Sequence, residues 1–344
     1  MMYKIDKKNL LKVYKLISEK MLLVVPTNEN GTVNFKQWHE HINVDLDIVK
    51  TVLPAKQFFL PTSEKLYTTT FDVENIKISH APYENSPFVI FGVRACDMAG
   101  IEHLDGIYLK EPIDRFYEAR RNMGLIVTLA CTNQNITCFC KSFDIDASNS
   151  KGDVSAWIHG DNIFLQSNTT KGENFINIIK TLVTTVDDVE VNEVKNEIKE
   201  KVSKLQYSNL QLDKIQTTEK TLLDIFNSAK WDKINETCLS CSTCTFLCPT
   251  CSCYDITDFD TGKKVICHRN HDSCMNECFT QMAHGNPRTS GKQRFRQRFM
   301  HKLVYNKEST GKYGCVGCGR CISKCPVNIN IIKVIKALGE DKDV

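Results

Sequence analysis

Two stretches of the chain space their cysteines identically. CLSCSTCTFLCP, residues 238 to 249, and CVGCGRCISKCP, residues 315 to 326, both read C-x2-C-x2-C-x3-C-P. Thiolates at this spacing suit [4Fe-4S] cubes: three from one loop take three corners, and the fourth, turned aside by the proline, crosses to the neighbouring cube. On that wiring Cys238, Cys241, Cys244 and Cys325 bind one cluster, and Cys315, Cys318, Cys321 and Cys248 bind the other. Structural zinc is the alternative use of C-x2-C pairs. Zinc, however, closes with four ligands, usually as two separated pairs, whereas each run here has a third cysteine and a trailing C-P. Two adjacent cubes with no substrate site between them conduct electrons.

The first half of the chain carries a second constellation. FGVRACD sets Cys96 just past an apolar run, and LIVTLACTNQNITCFC sets Cys131 past another, with Cys138 and Cys140 in the following loop. Ligands in α/β sheets gather at the carboxyl ends of strands. Four thiols at such ends favour a third [4Fe-4S] cluster. The unusual spacing leaves zinc or a redox dithiol open, and small buried thiols are the bland alternative. Asp97, beside Cys96, is expected to cap a helix beginning there. Cys251, Cys253, Cys267, Cys274 and Cys278 remain outside these sets; most are expected to pack around the clusters, with an extra cluster or a ligand swap at Cys251 as alternatives.

RTSGKQRFRQRFMHK, residues 288 to 302, has Arg288, Lys292, Arg294, Arg296, Arg298 and Lys302 with no acid. The ordinary reading of such a run is a solvated helix face. The functional readings are a strip that docks an acidic partner, or positive charge that holds anionic clusters at a useful potential. Phe295 and Phe299, four apart, put one face into packing. No GxGxxG follows an expected strand, and neither a GxxxxGK[ST] nor a haem-attaching CxxCH occurs. A carrier of electrons with neither a nucleotide cradle nor a haem site implies partner subunits.

The remaining composition fits a cytoplasmic protein of about two domains. The chain has 344 residues, 42% apolar and 25% charged, enough for a real core. Its formal net charge of +3 and interleaved acids and bases argue against nucleic acid or a membrane surface as partner. The charged N-terminus lacks a signal-peptide h-region, and no apolar run approaches a membrane span. Seventeen cysteines, an odd number, are a poor disulfide framework for a reducing compartment.

The elements that position these thiols follow from hydrophobic period. An amphipathic helix is expected over residues 7 to 21. A strand SPFVIFGV, a helix from Asp97 to Leu104, a helix through PIDRFYEARRNM and a strand LIVTLA make an α/β unit with buried strands. WIHGDNIFLQ reads as a hairpin about Gly160 to Asn162. Val191 to Leu205 and TLLDIFNSAK read as helices, and the chain ends in IIKVIKAL. The expected fold is an α/β N-terminal domain, residues 1–215, followed by a mostly α-helical ferredoxin-like dicluster domain, residues 216–344.

FFLPTSEKLY, FGVRACDMAGIEHLD, the run from Cys131 to CFC, CLSCSTCTFLCPTCSCYDITD, DSC at 272 to 274 and GCVGCGRC with SKCP together resemble the anaerobic sulfite reductase A-subunit family. The related beta subunit of cytosolic sulfhydrogenases carries a similar set in the same order, over about residues 50 to 335. The resemblance implies a non-catalytic electron-transfer subunit that relays electrons from a flavin- and NADH-binding subunit to a sirohaem and iron-sulfur subunit reducing sulfite to sulfide. In the hydrogenase relative the far partner is a nickel-iron pair. A free-standing ferredoxin-like carrier or redox sensor is the reading of a different class. Cys96, Cys131, Cys138 and Cys140 are shared positions of the family, which adds weight to the third cluster. The pattern departs at HDSC, where relatives tend to have Trp before the Asp, and at Cys278, which is extra. The short extension ending at Val344 fits the sulfite reductase branch better.

Overall fold

A computed structural model describes residues 1–72, 75–215 and 221–339. The chain forms two compact units, one of residues 1–56, 85–209 and 316–319, the other of residues 57–84, 210–315 and 320–344. The sequence suggests a single boundary after residue 215; the chain enters each of these two units more than once.

The first unit is built on an eight-stranded mixed sheet. Its order is Thr184–Val186, Met2–Asp6, Asn162–Ser167, Val154–His159, Gly124–Leu129, Phe88–Val93, Leu22–Glu29 and Thr32–Gln37. The strands Leu22–Glu29, Phe88–Val93, Gly124–Leu129 and Val154–His159 pair in parallel, and antiparallel strands flank them. Every residue of Phe88–Val93 and of Gly124–Leu129 is buried. This accounts for their unbroken apolar sequences, because helices cover both faces of a parallel sheet. The expected hairpin forms, with Gly160 at φ +53° between its strands. The opening amphipathic segment is shorter than its pattern: a strand precedes it, and the α-helix runs Leu10–Ser18 with Val13, Tyr14 and Ile17 inward. Tyr14 meets Phe91 edge-on at 5.6 Å and Trp38 at 6.0 Å. Such tilted ring pairs add to what burial alone contributes. The helix Val189–Ser203 packs Val191, Val194, Ile198 and Val202 together with Trp157 and Phe164.

The second unit is less helical than expected. It contains a four-stranded antiparallel sheet in the order Tyr254–Asp260, Lys264–His271, Ser63–Phe71, Ile76–His80. Lys264–His271 pairs with strands from both its own region and the distant Ser63–Phe71. The buried Arg269 and Glu64 form an ion pair across that junction. Around the sheet lie short helices, including Leu222–Asn227, Lys230–Asn235, Thr243–Phe246, Arg320–Ser323 and Ile331–Gly339. The helix Gly291–Met300 opens with a capping box in which Ser290 and Gln293 bond each other's backbone N–H. It runs on through a π-helical turn, His301–Tyr305, into Asn306–Thr310. Of the extension after the second cysteine run, whose length bore on the choice between family branches, residues 340–344 lie outside the described residues.

Candidate metal centres

In the first unit the strand Phe88–Val93 hands over through Arg94 to the helix Ala95–Tyr108, and Gly124–Leu129 runs out at Ala130 and Cys131. The two strands are parallel neighbours, so Cys96 and Cys131 emerge at the same sheet edge. The loop after Cys131 folds back, and a short 3-10 turn begins at Cys140. Cys96, Cys131, Cys138 and Cys140 consequently line one cavity, with Ala95, Ala147, Val202 and Leu205 as apolar wall. Cys318 lines it as well.

Positive charge is built into this edge. Arg94 is buried and donates to the carbonyls of Ala130 at 2.7 Å and Ile48 at 2.7 Å, while its Nε has no partner. Burial pushes the Cys131 thiol up, and Arg94 with the Ala95 N–H works against that. Burial likewise pushes Cys140 up. A neutral thiol is comfortable here, whereas a thiolate needs a counter-charge such as a metal cluster supplies. Asp97 does not cap this helix: the cap is Arg94, and Asp97 is buried in the first turn. The capping position comes one turn earlier because helical geometry already begins at Ala95.

The loop Val316–Gly319 packs against the CFC turn. The Phe139 N–H donates to the Gly317 carbonyl at 2.9 Å, and Lys50 Nζ donates to the Thr137 hydroxyl at 2.6 Å and the Cys318 carbonyl at 3.3 Å. Gly317 has φ +61°, and a Cβ on it would stand 2.5 Å from the backbone of Phe139 and Cys140. Only glycine combines that backbone conformation with so close an approach.

In the second unit Cys238, Cys241, Cys244 and Cys325 line one cavity, together with Cys321. Three cysteines of the first run and two of the second thus line the same cavity. Ser240 and Ser242, at φ +53° and +62°, bend the loop between the thiols, and Thr243–Phe246 follows as a helical turn. Burial pushes Cys238 up, whereas the Thr243 hydroxyl, 3.4 Å from the Cys241 sulfur, draws that thiol down. The Ile329 N–H donates to the Cys325 sulfur at 3.2 Å. Met275, Phe295 and Phe299 form the apolar wall, and Arg298 closes it with a buried, unpartnered Nε. An apolar pocket of thiols with an orphaned cation at its rim fits an anionic, sulfur-ligated group.

Among the described residues no three His, Cys, Asp or Glu side chains draw close enough to hold a single metal ion. A zinc ion would require thiolates about 3.8 Å apart, given bonds of about 2.3 Å. The four nominated cysteines lining each cavity match the donor number of a cube.

The remaining predicted set is divided. Cys248, Cys315 and Cys321 belong to the second unit and Cys318 to the first. Lys302 Nζ lies 3.2 Å from the Cys248 sulfur. Of the cysteines outside the sets, Cys251 is buried within electrostatic reach of Arg298 and Lys302. Cys253 and Cys274 are hydrogen-bonded to each other, Cys267 contacts Tyr67 and Asp258, and Cys278 is exposed. The basic run is not a solvated face. Arg294, Arg298 and Lys302 are buried, and Arg296 stacks on Phe226 at 3.5 Å. Sequence patterning missed this because charged residues at helical spacing look alike whether they face water or thiols; Phe295 and Phe299 were the available signal. It also missed Arg94 and Lys50, which nothing in the local pattern marks.

No helix among the described residues is long and apolar enough to cross a membrane. Residues 237–329 match the family model of a 4Fe-4S dicluster domain. No solved structure matches the chain. Sulfhydrogenase 2 subunit beta of Pyrococcus furiosus is 32% identical over 320 residues, covering 92% of this chain and 91% of the relative. Of the two branches weighed from sequence, the relative that spans the chain is the one placed second. The chain is therefore an iron-sulfur protein, and it belongs to the family of the sulfhydrogenase beta subunit.

Proposed function

We propose that this chain is the iron-sulfur electron-transfer subunit of a sulfhydrogenase-type complex, and that it holds three [4Fe-4S] clusters forming one relay. At one end its partner on this reading is a flavin- and NADH-binding subunit; at the other it is a nickel-iron hydrogenase pair. The observation that carries the reading is the gathering of Cys96, Cys131, Cys138 and Cys140 around one cavity and of Cys238, Cys241, Cys244 and Cys325 around another. Motif spacing nominates the second set and placement at strand ends the first, and the relative of nearly the same length is a sulfhydrogenase subunit by name.

Bound cubes supply one-electron storage at low potential. The chain's own residues do the rest. Apolar side chains such as Phe295, Phe299 and Val202 exclude water from the sulfurs. The Ile329 N–H and Thr243 hydroxyl orient Cys325 and Cys241. Arg94 and Arg298 offset negative charge where burial would otherwise keep the thiols protonated. For the remaining cube the motif spacing alone nominates Cys315, Cys318, Cys321 and Cys248.

The complex, purified anaerobically with this chain, tests the reading through iron content and redox spectra. Three cubes give about twelve irons in this chain, four per cube. A Cys138→Ala variant should lose about a third of that iron, keep the ferredoxin-type signals and stop electron flow between the partner subunits. Unchanged iron would reduce the first cavity to a packing feature. A sirohaem protein co-purifying in place of the nickel-iron pair would move the chain to the sulfite reductase branch.

A further inference from the structure

Arg298 and Lys302 lie one helical turn apart on the helix Gly291–Met300 and its π-helical continuation, and are 4% and 5% exposed. Holding an ionised side chain out of water costs several kcal/mol unless an opposite charge answers it. Among the described residues neither cation forms an ion pair with a carboxylate. Their surroundings are sulfur: Cys244, Cys321, Cys251 and Cys248 are within electrostatic reach of Arg298, and Cys248, Cys251 and Cys315 of Lys302. The Lys302 ammonium spends its three donors on the Cys248 sulfur at 3.2 Å, the Thr250 hydroxyl at 2.9 Å and the Gly314 carbonyl at 3.0 Å. It thereby joins the last cysteine of the first motif to the residue before the first cysteine of the second. Gly314 is tied back by its own N–H to the Lys302 carbonyl at 2.8 Å. Arg298 instead closes the cavity of the first cube, with Nε unpartnered. A π-helical turn, a feature that recurs at functional sites, carries Lys302.

We propose that these are charge-compensating residues for the ferredoxin-type cubes: Arg298, which lines the cavity of Cys238, Cys241, Cys244 and Cys325 and also lies within reach of Cys248 and Cys321, acts on both, and Lys302, bonded to Cys248, acts on the cube that Cys248 ligates. The inference rests on the cluster reading above. A core held by four thiolates is anionic and gains a further negative charge on reduction. A fixed buried cation therefore stabilises the reduced form more than the oxidised one and raises the potential. Screening by salt is weak at such depth, so the effect persists at physiological ionic strength.

The test uses the whole complex carrying Arg298→Gln, Lys302→Gln, Arg298→Lys or Lys302→Arg in this chain. Iron and sulfide content are measured first, followed by potentiometric titration with paramagnetic resonance detection. Each cube's signal is identified by its loss in Cys241→Ser or Cys315→Ser. Each Gln variant should keep its iron; Lys302→Gln should shift the reduced-to-oxidised ratio of the Cys248 cube down at least tenfold, about 59 mV for one electron, leaving the other cube within a third of that, whereas Arg298→Gln should lower both. The charge-preserving variants should stay near the wild-type potentials. Full iron with unmoved potentials in the Gln variants, or equal shifts at both cubes in Lys302→Gln, would overturn the proposal while leaving the clusters in place. If a Gln variant loses its iron, recovery of iron and potential in the charge-preserving variant supports a charge role; loss in both overturns it in favour of packing. Wild-type complex lacking cube signals from this chain would instead sink the cluster reading itself.

Discussion

Cys325 shows how much one side chain carries in this protein. It sits 87 residues beyond Cys238 in sequence, yet the two share a cavity wall, and its sulfur accepts the Ile329 N–H at 3.2 Å. The proline at 326 prevents the preceding helix from continuing and turns the thiol toward the other motif's cavity. A Cys325→Ser variant should therefore lose the cube of Cys238, Cys241 and Cys244, not the one nearest in sequence. Iron analysis should fall by about a third, and the surviving spectra should include the cube dependent on Cys315. Loss confined to the Cys315-dependent signal would refute the crossed wiring. Cys278, exposed and outside every cavity described, should tolerate Ser with no change in iron.

At the scale of an element, the helix Gly291–Met300 decides where the buried cations stand. Its start is specified locally: the Ser290 hydroxyl accepts the Gln293 N–H, and the Gln293 side chain accepts the Ser290 N–H. Its seat is specified by Phe295 and Phe299, whose rings lie 4.6 Å apart, and by Trp231, edge-on to Phe295 at 6.3 Å. Removing the cap with Ser290→Ala should cost about 1 kcal/mol. Hydrogen exchange in the first turn should quicken about fivefold if opening there is local, while iron content stays constant. Exchange unchanged from wild type would mean that tertiary packing alone holds the helix start. The four-stranded sheet of the second unit contrasts with this. Lys264–His271 is joined to Ser63–Phe71 by pairing across about two hundred residues, with Arg269 and Glu64 buried at the seam.

At the scale of the whole molecule, the chain offers clustered thiols and cations but no nucleotide-binding glycine motif and no haem-attachment motif. Isolated and loaded with clusters, it should accept electrons from dithionite yet neither oxidise NADH nor reduce protons or sulfite. Anaerobic assays of the chain alone, beside the reconstituted complex, check this. Turnover by the isolated chain with any of these substrates would overturn the subunit reading. Affinity purification from its own cells should bring a flavoprotein with it, whereas a free carrier would come alone.

The sequence by itself determined the chemistry. Iron-sulfur ligation is written in short-range spacing, because one loop must present three thiolates to one cube, and such intervals survive without knowledge of the fold. Buried parallel strands and the hairpin at Gly160 were legible for a similar reason: unbroken or alternating apolar runs report on burial of the strand that carries them. Only the tertiary structure decided which distant thiols share a wall, that Arg298 and Lys302 face sulfur and not water, and that Gly317 must lack a Cβ to lie against Phe139. Those properties depend on contacts between segments far apart in the chain. Periodicity records which residues turn inward but not what they meet there.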